Sequence, residues 1–295
     1  MNKTRQSYIY AGLAIFFWST VPTAFKISLI ELEVLPIITI ASITSALILL
    51  IIILISGKWR QIVQNSGKDL LNSAVLGLIN PFLYYLILLK AYKLLPAQVA
   101  QPLNMIWPII LVFLSVPLLK QKIERKSYIA LGISFSGVYL ISSQGHLFQF
   151  CGSDLTGVFL ATGSSFFWAF YFILNVRDKR DEAVKLFLNF FFGSMYLLTT
   201  MTLTGNWHGT IGLKGALGSV YIGVFEMGIT FFFWLKDLSL AETTDKVSNL
   251  VYFAPFISLL FVNYFLKEHV YYTTPVGLLL IIGGILIQNR KTVTE

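Results

Sequence analysis

Apolar residues run along this chain in ten long stretches, at approximately 7–29, 34–56, 70–91, 97–119, 127–143, 155–176, 184–204, 212–235, 246–266 and 273–289. Crossing a hydrocarbon core of roughly 30 Å takes about 17 to 25 apolar residues in a helix, so each stretch predicts one transmembrane span. The polar positions fall between the stretches, in short connections that carry the usual breakers: Ser56-Gly57, Pro96, Ser143-Gln144-Gly145 and Gly205-Asn206. No connection is long enough for a soluble domain. The first stretch follows Lys3 and Arg5 as a signal peptide would. It continues past Trp18 and Pro22 to Ile30 with no small-residue cleavage site, so it reads as span 1.

Composition agrees with this pattern. Of 295 residues, 56% are hydrophobic and only 12% charged, against about a quarter charged in soluble domains. Mean hydropathy is +0.74. The net charge of +8 does not point to nucleic acid, because the basic residues sit between apolar stretches instead of on one basic face. The single cysteine, Cys151, leaves no internal disulfide framework. With the N-terminus inside, 17 of the 22 Lys and Arg fall on the inner side, leaving Lys26, Lys90, Lys93, Lys214 and Lys267 for the outer ends. Positive residues are retained on the cytoplasmic side, so both termini are expected there.

The tripeptide Phe-Phe-Trp occurs at 16–18 and again at 166–168. Laying the second half on the first at a shift of 146 to 150 brings Lys68, Gly77 and Lys90 onto Lys214, Gly223 and Lys236, and Pro108 and Lys120 onto Pro255 and Lys267. The chain therefore reads as a duplication, with residues 1–148 as one five-span repeat and 149–295 as the other. An odd number of spans per copy reverses the second copy in the membrane. Inverted repeats recur in secondary transporters, where exchanging the conformations of similar halves opens a site to either side in turn.

The Trp18-Ser19-Thr20 segment, its echo at Trp168-Ala169, the Pro-bearing spans 4 and 9, and Leu266-Lys267-Glu268 followed by Gly277 and Gly283-Gly284 together resemble the drug/metabolite transporter superfamily, in its ten-helix EamA-type branch. Asn104-Met105-Ile106-Trp107-Pro108 is similar to the fourth helix of the aromatic amino-acid exporters. Gln121 and Glu226 depart from the family pattern. The resemblance covers nearly the whole chain. It implies an all-α integral membrane protein of a bacterial cytoplasmic membrane, monomer or homodimer among membrane lipids, that moves a small-molecule substrate with export favoured over uptake.

Glu226 lies near the middle of span 8, where an ionisable side chain costs about 2.5 kcal/mol or more to insert. The repeat register sets it on Asn80 of span 3. The pair is expected to line a central cavity, with Glu226 taking a substrate amine or a coupling proton; the competing reading is a structural carboxyl bonded to a neighbouring helix. Trp18, Tyr84, Trp107, Trp168, Tyr171 and Tyr252 offer ring faces with a polar edge for a pocket wall, although Trp and Tyr also gather at membrane interfaces. Gln101, Asn104 and Asn249 belong to the polar, broken parts of spans 4 and 9, which suit either a cavity or interhelical hydrogen bonds.

An embedded enzyme would need a nucleophile and base, a metal cluster or a carboxylate pair at depth. No His, Cys or Asp falls in the middle of a span, and His146, His208 and His269 have no ligand spacing, so neither catalysis nor a metal or other cofactor is expected. A lipid-linked or nucleotide-sugar carrier would want several deep cations, and only Lys26 approaches that. The reading that remains is a carrier of a small organic metabolite, such as an amino acid or related compound, working by alternating access.

Overall fold

A computed structural model describes residues 3–119, 125–146, 154–205, 212–231, 233 and 253–289. All regular structure among them is helical: α1 (Lys3–Glu31), α2 (Val34–Ile55), the short α3 (Arg60–Val63), α4 (Gly67–Gly77), α5 (Tyr84–Leu94), α6 (Ala97–Asn104), α7 (Trp107–Leu119), α8 (Arg125–Ser142), α9 (Leu155–Arg177), α10 (Glu182–Thr204), α11 (Leu213–Phe225), α12 (Ala254–Leu266) and α13 (Thr273–Asn289). Ile9–Glu31, Val34–Ile55, Gly67–Leu94, Leu155–Asn175 and Glu182–Thr204 are long and apolar enough to cross a membrane. Tyr128–Ser142, Ala254–Leu266 and Thr273–Ile287 are shorter apolar helices. The protein is a multi-pass membrane protein.

Three of the expected spans are interrupted. Span 3 passes through a wide turn at Leu78–Leu83 between α4 and α5, with Asn80 extended at φ −144, ψ 118. Pro81 lacks the N–H that would close the helical bond to Gly77, so the ladder is lost there. Span 4 turns at Met105 and Ile106, just before Pro108, which divides α6 from α7. In span 8, α11 ends at Phe225 with Glu226 as its C-cap. Asn80 and Glu226 are repeat equivalents, so both copies break the same helix at the same place.

Helix packing follows the inverted repeat. A Cβ on Gly77 would run into the Asn189 carbonyl and Gly193 N of α10, while one on Gly223 would run into the Ala41 carbonyl and Thr44 of α2. Asn189 and Ala41 are themselves 148 residues apart, so the α4–α10 and α11–α2 contacts are copies of each other. In the most extensive helix pair, α8 with α13, Gly137 meets the Gly277 carbonyl and Gly284 meets the Ala130 carbonyl. Those two contacts exchange under a shift of 147. Small residues allow such approach where lipid supplies no hydrophobic drive between helices.

Polar residues gather at two rims. At one, Lys58 pairs with Asp181 at 2.5 Å, Asn72 donates to Asp178 at 3.1 Å, and Arg180 pairs with Asp178 while donating to Asn65 at 2.9 Å and Ser73 at 2.8 Å. At the other, Lys93 pairs with Glu33 at 2.6 Å and Lys26 Nζ donates to the carbonyls of Tyr92 and Leu95, both at 2.8 Å. Each rim joins connections that charge counting puts on one side of the membrane. Carboxylates also cap helix N-termini, where the backbone dipole favours negative charge by about 0.3–1 kcal/mol each. Asp69 caps α4 with Ser66, Asp154 caps α9 and Asp181 caps α10; Glu31 accepts from Gly215 N of α11 at 2.7 Å, and Glu268 from Ala97 N of α6 at 3.1 Å. Around Asp178, burial pushes the carboxyl pKa up, but the Arg180 hydrogen bonds outweigh it and hold it below the usual value.

Candidate functional site

Where the broken helices meet, α1, α5, α6, α7, α9 and the turn after α11 enclose a cavity of about 130 Å³. Its lining on α1 runs from Trp18 to Phe25 and on α5 from Tyr84 to Tyr92, so it occupies the middle of the bundle. Phe25 and Tyr92 meet at 5.1 Å above it. Beyond Tyr92 lies an outer vestibule of about 280 Å³ lined by Lys26, Lys93 and Glu268.

The walls are aromatic. Trp168 is the hub: its ring lies 5.1 Å from Tyr84, 6.4 Å from Trp107, 5.9 Å from Tyr171 and 5.7 Å from Phe231. Trp18 reaches Phe231 at 6.0 Å. The two Trp residues that mark the duplication thus meet across one phenylalanine. Ring faces carry negative potential, and several around one space suit a cation or an apolar body with a positive end.

Glu226 supplies the acid. Helix α11 ends at Phe225, with Glu226 as its C-cap, still bonded through its N–H to the Ile222 carbonyl at 2.8 Å, and its side chain lines the cavity. Tyr85, fully buried, donates to Glu226 Oε1 at 3.0 Å and fixes its orientation. A second chain runs beside it: Tyr84 donates to Asn104 Oδ1 at 3.2 Å, Asn104 Nδ2 donates to Ser164 at 2.8 Å, and Ser165 donates to the Asn104 carbonyl at 2.7 Å. This ties α6 to α9 at the cavity wall. Glu226 is the one acid among the described lining residues, and no Lys, Arg or His is among them.

Of the residues singled out in the sequence, the cavity brings together Trp18, Tyr84, Gln101, Asn104, Trp107, Trp168 and Glu226. Asn80 and Tyr171 do not line it. Asn80 is fully buried at the α4–α5 break, and Tyr171 packs with Leu76 and Ile79 and accepts from Asn189 at 3.2 Å. The expectation that Asn80 and Glu226 line the cavity as a pair therefore needs correcting. The two repeat equivalents sit differently: Glu226 lines the cavity, while the extended backbone at Asn80 places its side chain among the packed residues of the α4–α5 break. Asn249 and Tyr252 lie outside the described residues. Tyr85, Phe231, Tyr92 and Phe25 were not anticipated. The repeat register carried a signal for two of them, since it places Tyr85 on Phe231.

A bundle of two inverted halves around a central, aromatic and singly acidic cavity has the architecture of a membrane transporter. The chain belongs to the EamA-like transporter family, within the drug/metabolite transporter superfamily: the family profile matches it twice, over residues 5–143 and 155–290. An uncharacterized transporter of Archaeoglobus fulgidus is 26% identical over 294 residues, covering 97% of this chain and 99% of its own. The uncharacterized transporter YvbV of Bacillus subtilis is 26% identical over 224 residues, 74% of this chain and 71% of its own. A solved crystal structure shares the fold with a TM-score of 0.67 at 17% identity, covering 97% of both chains.

Proposed function

We propose that this transporter carries a small organic metabolite bearing an amine, an amino acid or a related compound, by alternating access, and that the direction is export. The observation that supports the reading is Glu226 in the aromatic cavity. A protonated amine placed there gains the carboxylate and the ring faces of Trp18 and Trp168 together, and Gln101 offers an amide donor for a carboxyl or hydroxyl on the same molecule. A cavity of about 130 Å³ is below the roughly 300–1,000 Å³ of drug-sized sites, which favours a small solute. The same carboxyl is the candidate for a coupling proton, which amine binding would displace. The rival cargo, a nucleotide sugar or lipid-linked phosphate, would want deep cations that the described lining does not offer.

The test is counterflow in proteoliposomes against a panel of amino acids and metabolites at two pH values. Saturable exchange of an amine-bearing solute supports the proposal. Exchange confined to anionic or phosphorylated solutes, or no saturable movement of any solute, overturns it.

A further inference from the structure

A second cavity, of about 470 Å³, opens on the outer half of the bundle between α1, α11 and α12, on the face of α1 away from the central site. Its sides are apolar, with Ile27, Leu217, Phe261 and Phe265 among them. Leu217 is 59% exposed and Phe265 58%, so the groove lies open at the level where the bilayer surrounds the protein. Lys214, the second residue of α11, lines its outer end. Thr20 and Tyr221 close the deep end with a hydroxyl contact of 2.6 Å. Seven residues of α11 separate Lys214 from Tyr221, a depth of about 10 Å at 1.5 Å per residue, against roughly 15 Å for one leaflet.

Two polar features point to an occupant that is more than a passing acyl chain. Lys214 places a cation at headgroup level, where a lysine reaches a lipid phosphate while its stem stays apolar. The Glu31 carboxylate accepts from Gly215 N and does not pair with Lys214. Between Lys214 and the deep end, Thr23 lines the groove at 6% exposure, and its hydroxyl, buried behind that wall, has no hydrogen-bond partner. A helical threonine ordinarily bonds the carbonyl one turn back. An ester oxygen entering the groove would give it an acceptor.

We propose that this groove is a binding site for an outer-leaflet phospholipid, with one acyl chain along Leu217 and Phe265, its ester at Thr23 and its phosphate at Lys214. The test is native mass spectrometry of the full chain titrated with phosphatidylglycerol, comparing wild type with Lys214→Glu and Leu217→Trp. Neither residue lines the transport cavity, so substrate counterflow by each variant reports that it has folded. The expected result is one tightly retained lipid on the wild type and retention at least tenfold weaker in both variants. Equal retention in all three overturns the proposal. So does a cross-linked dimer formed through Phe265→Cys in a Cys151→Ser background, which would show a second copy covering the groove.

Discussion

Gly137→Ala tests the inverted-repeat packing at the α8–α13 seam. The added methyl would fall against the Gly277 carbonyl, with Ile281 Cγ1 at 2.9 Å and Ile281 N at 3.1 Å. Two of those three neighbours are backbone, so no rotamer change relieves the clash and α8 must draw away from α13. Forcing an extra methylene into a packed seam costs typically 1–3 kcal/mol. Gly132 and Gly283 lie in the same two helices with nothing within 4 Å of such a methyl. There an alanine gains helix propensity, roughly 0.8–1 kcal/mol in a soluble host and less in lipid. Thermal unfolding in detergent, read by intrinsic fluorescence, should show Gly137→Ala and Gly277→Ala lowering the midpoint by several degrees, at about 2–4 °C per kcal/mol. Gly132→Ala should leave it unchanged or raise it. A loss at Gly132 as large as that at Gly137 would refute the reasoning, because it would tie the effect to glycine content and not to the seam.

Tyr85→Phe removes the hydroxyl that holds Glu226 and leaves the ring packing intact; KM for the proposed amine substrate should change by about tenfold, the equivalent of 1.4 kcal/mol, with an altered pH profile, measured as initial rates in proteoliposomes. Arg180→Ala strips the partner from Asp178, whose side chain is only 5% exposed, and should destabilise by about 3–5 kcal/mol in denaturant or thermal unfolding. Because Asp178 titrates below its usual value in the fold, the stability it lends is present above about pH 4 and lost as pH falls through the depressed pKa. The wild type should therefore lose stability on acidification in that window more steeply than Arg180→Ala.

Much of the architecture was legible because lipid imposes it: every span must be helical and apolar, and an odd number of spans per copy must invert the second. The orientation of each helix about its axis was not legible. Spans such as Leu155–Asn175 are apolar on the lipid side and on the packed side alike, so periodicity does not say that Phe166 is 45% exposed while the nearby Trp168 anchors the cavity. For the same reason Tyr85 could not be told from Tyr84, nor Gly137 from Gly132. Lys185 is 2% exposed because it reaches the carbonyls of Asn175 and Asp178 at 3.2 and 3.1 Å, partners set only when α9 and α10 pack. The break in span 3 did have a local signal in Pro81, yet apolar length alone gave one continuous helix. Glu226 was found because an acid at bilayer depth is costly wherever it faces. Asn80 follows from the repeat register, which does not say which copy's residue faces the cavity.

The central claim, that Glu226 carries the substrate amine or the coupling proton, is tested most directly by counterflow with Glu226→Gln across pH 5 to 9, alongside a check that the variant is folded in the membrane. The account predicts that folded Glu226→Gln has lost transport or retains a rate that no longer varies with pH. Wild-type rates at every pH would contradict it.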